Sequence, residues 1–286
     1  MTQNLETFEA ERPRLLGLAY RITGSRHDAD DVVQEAWIRF QREIQDLKTP
    51  EAWLTTVVSR LAIDRARVLK RERKHYVGPW LPEPTSLDLS PEELAVRADS
   101  LTLAFLIVLD RLSPAARAAF ILVDVFGESY SSVATHLGRS EASCRQLVHR
   151  ARAAVRGSDV SSLRPMDSGL LEQLVDALVS GDDDQLITLL SPDVVLTSDG
   201  GLHRRAARRP VLGRERVVRF LTNLSRREPE ASALVGSVNF GACLYIESTK
   251  GPLLLAGSVR GSTIAHINLV MNPDKLQGAD QPRLIV

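Results

Sequence analysis

Cysteine is scarce in this chain. Cys144 and Cys243 are the two thiols in 286 residues, and they lie far apart. That number supports no disulfide framework and fits a reducing, cytoplasmic setting. Aromatic residues make up only 5%, so any core must be built mainly from Leu, Val, Ala and Ile. Six histidines (His27, His75, His136, His149, His203 and His266) share no metal-ligand spacing with one another or with the cysteines, so neither a metal nor a cofactor is expected. No apolar run approaches the ~18 residues of a membrane span, and the polar start does not read as a secretion signal. Net charge is zero. What remains is an ordinary soluble composition, 44% hydrophobic and 25% charged, long enough for two or three domains.

The zero net charge conceals a segregation. Asp28, Asp30, Asp31 and Glu35 form an acidic stretch without Lys or Arg. Residues 60–74 carry Arg60, Arg65, Arg67, Lys70, Arg71, Arg73 and Lys74 against Asp64 and Glu72. Residues 139–156 are basic again, with Arg139, Arg145, Arg150, Arg152 and Arg156 against Glu141. Basic helices within a neutral chain point to docking on a polyanion. Each patch alone also fits a solvated helix face.

Residues 5–74 have the period of helices. Ala29, Val33, Ala36 and Phe40 recur on one face, with Trp37 beside them. Thr49-Pro50-Glu51 reads as a helix start: a hydroxyl cap, a proline whose missing N–H is harmless there, and an acid in the first turn. Trp53, Val57 and Leu61 then form an apolar row widened by Leu54 and Val58. Gly78, Pro79, Pro82, Pro84 and Pro91 make residues 76–100 an extended linker, with helix resuming near Glu92 and running to Leu112. Ser113-Pro114 starts a helix ending near Gly127. Ser129 caps a short helix stopped by Gly138, and Ser140 caps another with Cys144, Val148, Ala151 and Val155 on one face. A short helix, a glycine turn and an amphipathic helix make a helix-turn-helix. Residues 158–167 form a second linker. Beyond it the period changes. Leu170–Val179, Asp184–Leu190 and Arg214–Arg227 read as helices, and 194–197, 233–240, 243–247, 252–259 and 263–270 as strands of one bent sheet.

In a helix-turn-helix the second helix enters the major groove with its N-terminal half against base edges. Here that half offers Ser140, Glu141, Ser143, Arg145, Gln146 and His149. Arg and Gln make paired hydrogen bonds to base edges, and Glu accepts from cytosine. Arg139, Arg150 and Arg152 suit phosphates, which position the helix without reading sequence. A tri-helical protein-interaction unit is the alternative.

The run His27-Asp28-Ala29-Asp30-Asp31-Val32-Val33-Gln34-Glu35-Ala36-Trp37 resembles the acidic signature of region 2 in sigma factors of the extracytoplasmic-function type. Residues 53–67 are similar to the following region, and Leu112-Ser113-Pro114 onward to region 4. The resemblance implies that Asp28, Asp31, Gln34, Glu35 and Trp37 dock on core RNA polymerase, whose clamp and flap are the expected contacts. It implies that Arg60, Asp64, Arg65, Arg67 and Arg71 open the −10 element and hold a flipped base, and that residues 139–152 read the −35 element of promoter DNA. Many members carry Asn where this chain has Arg60, which leaves the −10 base preference open. A pairing of Asp64 with Arg60 at i, i+4 is the plain structural alternative.

Trp80-Leu81-Pro82-Glu83-Pro84, Asp199-Gly200-Gly201 and Asn272-Pro273-Asp274-Lys275-Leu276 are similar to three motifs of sigma factors fused to a SnoaL-like domain. The implied architecture is two all-α sigma domains, region 2 over residues 1–75 and region 4 over 101–157, followed by a cone-shaped α+β domain over 168–286. The three motifs are expected to meet, and an anti-sigma factor or a small-molecule ligand at the last domain is a further expected partner. Family members usually continue with a third Gly and a Lys where this chain has Leu202 and His203. Asp199 and His266 are the acid/base candidates were the tail an enzyme, and neither pairs convincingly in sequence. The leading reading is therefore a promoter-recognition subunit without chemistry of its own. The alternative is a one-component regulator with a ligand-sensing tail.

Overall fold

The computed structural model describes residues 2–43, 47–85, 102–158, 162–228 and 230–276, and the backbone of 283–284. They divide into two compact units. The helix start expected near Glu92 lies outside the described residues.

The first unit is helical. Helices α1 (Thr2–Thr23), α2 (Arg26–Glu43) and α3 (Pro50–Glu72) pack on one another. Leu15, Leu18, Ile22, Ala29, Ala36, Phe40, Leu54, Val58 and Ala62 are shut off from solvent. The stripe that α3 buries runs through Leu54, Val58, Ala62 and Ala66. The expected row of Trp53, Val57 and Leu61 is only half-buried. The residues expected to widen the stripe thus form its centre, because α3 has neighbours on two sides: α1 and α2, and the later helix α6. Pro50 opens α3 as expected, whereas the Thr49 hydroxyl makes no cap bond.

Four helices complete this unit: α4 (Leu103–Asp110), α5 (Pro114–Phe120), α6 (Tyr130–Leu137) and α7 (Glu141–Arg156). Ser113, Ser129 and Ser140 each accept a backbone N–H of the first turn and so cap α5, α6 and α7. After Phe120 the chain runs on as a π-helical turn, Ile121–Val125. Gly138 ends α6 at φ 61°, a left-handed stop that suits glycine. Helices α6 and α7 are the expected helix-turn-helix, with Val133, Cys144, Val148 and Ala151 buried.

The second unit is α+β. Helices α8 (Ser168–Ser180), α9 (Asp183–Leu189) and α10 (Arg214–Arg226) cover a sheet of β1 (Arg164–Pro165), β2 (Leu190–Asp199), β3 (Val211–Leu212), β4 (Ser232–Val238), β5 (Gly241–Glu247), β6 (Leu253–Arg260), β7 (Thr263–Val270) and β8 (Arg283–Leu284). The order is β3-β2-β7-β6-β5-β4-β8, with β1 paired to β6. The β2–β7 pair is parallel and every other pair antiparallel. Register shifts at residues 190–195 and 258–259 interrupt the ladder where β2 and β6 meet β7, a usual source of sheet bending. Between sheet and helices lie Leu171, Leu174, Leu186, Val194, Val217, Leu221, Leu255 and Ile267.

Both expected linkers depart from expectation. The described end of the 158–167 segment is structured: Arg164 and Pro165 pair with Val259 and Ser258, and Met166 is buried in the core. Residues 76–85 are extended as expected, but they belong to the second unit, where Leu81, Pro82, Pro84 and Thr85 are buried. The Thr85 N–H donates to the Asn239 side chain at 3.1 Å, and the Asn239 N–H donates to the Thr85 carbonyl at 2.9 Å.

The turn after β2 has room for glycine alone. A Cβ on Gly200 would stand 2.2 Å from the Arg204 carbonyl oxygen. Gly201 has φ +57°, and a Cβ there would come within 2.7 Å of the Asn272 side chain. Gly200→Ala is therefore expected to destabilise the second unit by about 1–3 kcal/mol, the usual cost of forcing extra atoms into a packed site. Thermal unfolding of the full chain by calorimetry would register this as a lowered midpoint of one transition.

Candidate nucleic-acid interface and linker clamp

The acidic helix divides its carboxylates between surface and interior. Asp31 and Gln34 are exposed, and Glu35 and Trp37 are partly so. Asp31 lies 3.7 Å from His27, and Glu35 accepts from Arg39 at 2.8 Å. The Trp37 ring packs 4.7 Å from that of Phe8. Asp28 departs from the expected exposed face. It is 4% exposed and paired with Arg65 of α3. At the start of α2 the helix turns its first carboxylate inward, where an α3 cation neutralises it. Asp28 and Arg65 thus act together in joining α2 to α3.

The basic residues of α3 are also partly committed. The Arg60 guanidinium donates to the carbonyls of His136 (2.8 Å) and Thr135 (3.1 Å), the last turn of α6. A cation on helix C-terminal carbonyls is a favourable pairing. Thr56 and the His136 Nδ1 lie 2.6 Å apart on the same face. Asp64 pairs with Arg67 at 2.6 Å rather than with Arg60. The alternative i, i+4 pairing is absent because Arg60 reaches α6 instead. Arg71 is exposed without a partner among the described residues.

Arg139 in the turn before α7, and Glu141, Arg145, Gln146, His149 and Arg150 on it, are exposed. Arg145 lies over the Tyr130 ring at 4.6 Å and donates to Glu141 at 3.0 Å, so its fork is steadied on one side of the helix. Two residues have other tasks. The Ser140 hydroxyl accepts from the Ser143 N–H and is spent on the cap. Arg152 is paired with Asp124. Both roles are structural consequences of position, at the first and the fourth turn of α7.

His136 is buried beneath this contact. Burial holds its pKa below the ordinary 6.5, and the nearby positive charges of Arg14 and Arg60 act the same way. Glu128, 3.8 Å away, opposes the shift.

In the second unit the three motifs converge on one carboxylate. Asp199 ends β2, next to Val270 of β7, and is wholly buried. Its Oδ2 accepts from Lys275 Nζ at 2.6 Å and from the Leu81 N–H at 2.8 Å. Its Oδ1 accepts from the Tyr76 hydroxyl at 2.5 Å and from the Gly201 N–H at 3.2 Å. Lys275 also donates to the Leu81 carbonyl at 2.5 Å and lies over the Trp80 ring at 4.2 Å. Asn272 donates to the Tyr76 oxygen at 2.9 Å. Burial, and then the bond to the Asp199 carboxylate, raise the Tyr76 pKa well above its ordinary 10, so the hydroxyl stays a donor. Tyr76 was not among the expected residues. Its one sequence signal is an aromatic just ahead of Gly78-Pro79. In the departure after Gly201, Leu202 is 81% exposed, and His203 lies 3.3 Å from Asp274.

This arrangement leaves no acid/base pair at Asp199 and His266. The two lie on adjacent strands, but His266 is opposite Val195 and Asp199 opposite Val270. Four residues of strand separate them, roughly 13 Å. Cys144 and Cys243 are both free and buried. No group of three His, Cys, Asp or Glu side chains suited to a metal occurs among the described residues. No described helix is long and apolar enough to cross a membrane.

Comparison with known proteins agrees with this geometry. The Sigma-70 region 2 model matches residues 7–72, and the Sigma-70, region 4 model matches residues 103–155. The chain is 38% identical over 291 aligned residues to the ECF RNA polymerase sigma factor SigJ of Mycobacterium tuberculosis, covering 95% of this chain and 93% of that protein. It is 32% identical to the probable ECF RNA polymerase sigma factor SigI of the same species, covering 94% and 93%. The crystal structure of M. tuberculosis SigJ superposes with a TM-score of 0.78 at 36% identity, over 96% of this chain and 99% of that one.

Two outcomes are expected from the buried contacts. Lys275→Met strands a buried carboxylate and should cost about 3–5 kcal/mol, whereas adding Asp199→Asn should recover much of it. A double-mutant cycle by denaturant unfolding of the full chain measures this coupling. His136 has a depressed folded pKa, so its contribution is full above the unfolded value near 6.5 and is lost as pH falls through the folded one. Unfolding midpoints between pH 7.5 and pH 5.5 should therefore fall less in His136→Gln than in the parent.

Proposed function

Because the chain belongs to the extracytoplasmic-function sigma factors of RNA polymerase, we propose that it initiates transcription under restraint by its own C-terminal unit. Core polymerase and promoter DNA are the partners that the family implies. In our reading Asp31, Gln34, Glu35 and Trp37 form the contact with the polymerase clamp, and region 4 meets the flap. Arg145 and Gln146 read −35 base edges, with Arg139 and Arg150 on phosphates. Arg67 and Arg71 hold the −10 strand, and Arg60 joins them once it leaves the α6 carbonyls.

The observation that carries the restraint is the Asp199–Lys275 pair closing on the backbone of Leu81. Leu81 lies in the chain segment that connects regions 2 and 4. A ligand-sensing route has one supporting feature. A cavity of about 730 Å³ is lined by Val77 and Gly78 of that segment together with Gly201, Phe220, Leu224 and Met271. A small molecule there, or an anti-sigma factor, would act on the same clamp.

Runoff transcription with purified core polymerase tests the restraint. Removing the residues from Asn272 onward takes Lys275 away and should raise promoter activity. Removing everything after Gly157 should lower it, since residues 76–85, which belong to that unit, then lose the surface they pack on. Equal activity of the full chain and both truncated forms would mean that the tail does not regulate initiation.

A further inference from the structure

Residues 203–227 contain nine arginines, no lysine and one acid, Glu215. Arg204 is committed to Glu228 and to the carbonyls of Gly251 and Pro252, and Arg214 is half-buried. The other seven (Arg205, Arg208, Arg209, Arg216, Arg219, Arg226 and Arg227) are exposed, with no ion pair or hydrogen bond to their side chains among the described residues. Five of them line two clefts that share one residue. Arg205, Arg208 and Arg227 line one cleft, Arg219 and Arg226 line a second, and Asn223 lines both.

Folding does not account for this density. Arg214 and Arg216 sit in the first turn of α10, where the helix dipole disfavours cations. Arg216 and Arg219 are like charges at i, i+3, a mildly destabilising spacing. None of the seven relieves this with a carboxylate.

We propose that this arginine face is a further docking surface for the phosphate backbone of duplex DNA, independent of base sequence and separate from the −10 and −35 readers. The inference goes beyond the regulatory reading and does not depend on it. Arg216, Arg219, Asn223 and Arg226 share one side of α10 and span about 15 Å along the helix. That length matches roughly three successive phosphates of one strand, more than a small anion offers. Arginine's fork binds phosphate oxygens in pairs, and its charge is permanent. A lipid surface fits less well, because the apolar residues of α10 (Val217, Val218 and Leu221) are buried in the core and leave nothing to insert into a bilayer.

The test uses the full chain and a labelled 30-base-pair duplex of arbitrary sequence, read by fluorescence anisotropy between 50 and 200 mM salt. The variant Arg216→Ala/Arg219→Ala/Arg226→Ala should bind at least tenfold more weakly at 100 mM salt. Its log–log salt slope should be shallower by about 2–3, since each phosphate that an arginine neutralises adds roughly 0.9 to the slope. The matching triple Arg→Lys variant should retain most of the affinity. Circular dichroism checks the fold, and Arg205→Ala/Arg208→Ala on the loop before α10 gives a second readout should the helix variant unfold. Unchanged affinity and slope in both alanine variants would overturn the proposal. So would intact DNA binding combined with abolished binding to phosphatidylglycerol vesicles, which would assign the face to lipid. Both alanine variants should bind core polymerase normally, so a failure of the sigma-factor reading would appear in a different assay.

Discussion

A buried carboxylate must find a cation and fill its lone pairs, or it does not stay ionised in a protein interior. Asp199 meets that demand with Lys275, two backbone N–H groups and a tyrosine hydroxyl. The demand sets much of the second unit. It requires β2 to end where Lys275 can reach it, and it requires glycines at 200 and 201 so that the turn closes against Asn272. It also draws in an extended segment whose own backbone supplies a donor and an acceptor at Leu81. Prolines at 82 and 84 stiffen that segment, so less entropy is lost when it lies along the sheet. A contact made through backbone atoms at Leu81 and aromatic faces at Tyr76 and Trp80 holds the segment at several points.

The first unit solves a related problem differently. Besides the Asp28–Arg65 pair, several of its cations serve helix ends. Arg60 takes the final carbonyls of α6, Arg117 donates to the Arg21 carbonyl, and Lys70 donates to the Leu112 carbonyl. Each cation adds a donor to carbonyls at a helix end or turn, where regular intrahelical bonds run out. Such bonds are modest individually and exchangeable for phosphate oxygens, which present the same acceptor chemistry with a full negative charge. In our reading Arg60, which holds α3 to the end of α6 in the free protein, is therefore one of the residues that later hold DNA.

The helices and the helix-turn-helix were legible because serine caps, Gly138 and the apolar period agree with one another. The three short motifs of the tail were legible through family resemblance. What sequence did not give has physical causes. The face that α3 buries turned on having neighbours on two sides, which a period alone does not encode. Asp28 reads as one more surface acid until α3 places Arg65 beside it. Ser140 is a plausible base reader by type, but its position at the cap takes its hydroxyl. Strands β1 and β3 are two residues each and pair with distant partners, so no local pattern marks them. Tyr76 entered the clamp by adjacency to a motif rather than by belonging to one.

The Leu81 amide reports on the clamp itself. Hydrogen–deuterium exchange at Leu81, measured in the free full-length protein and in its complex with core RNA polymerase, tests whether the clamp is a restraint that polymerase must release. Exchange should be slow in the free protein and clearly faster in the complex. Protection that persists unchanged in a complex active in transcription would contradict it, and would leave the Asp199–Lys275 pair as part of the fold alone.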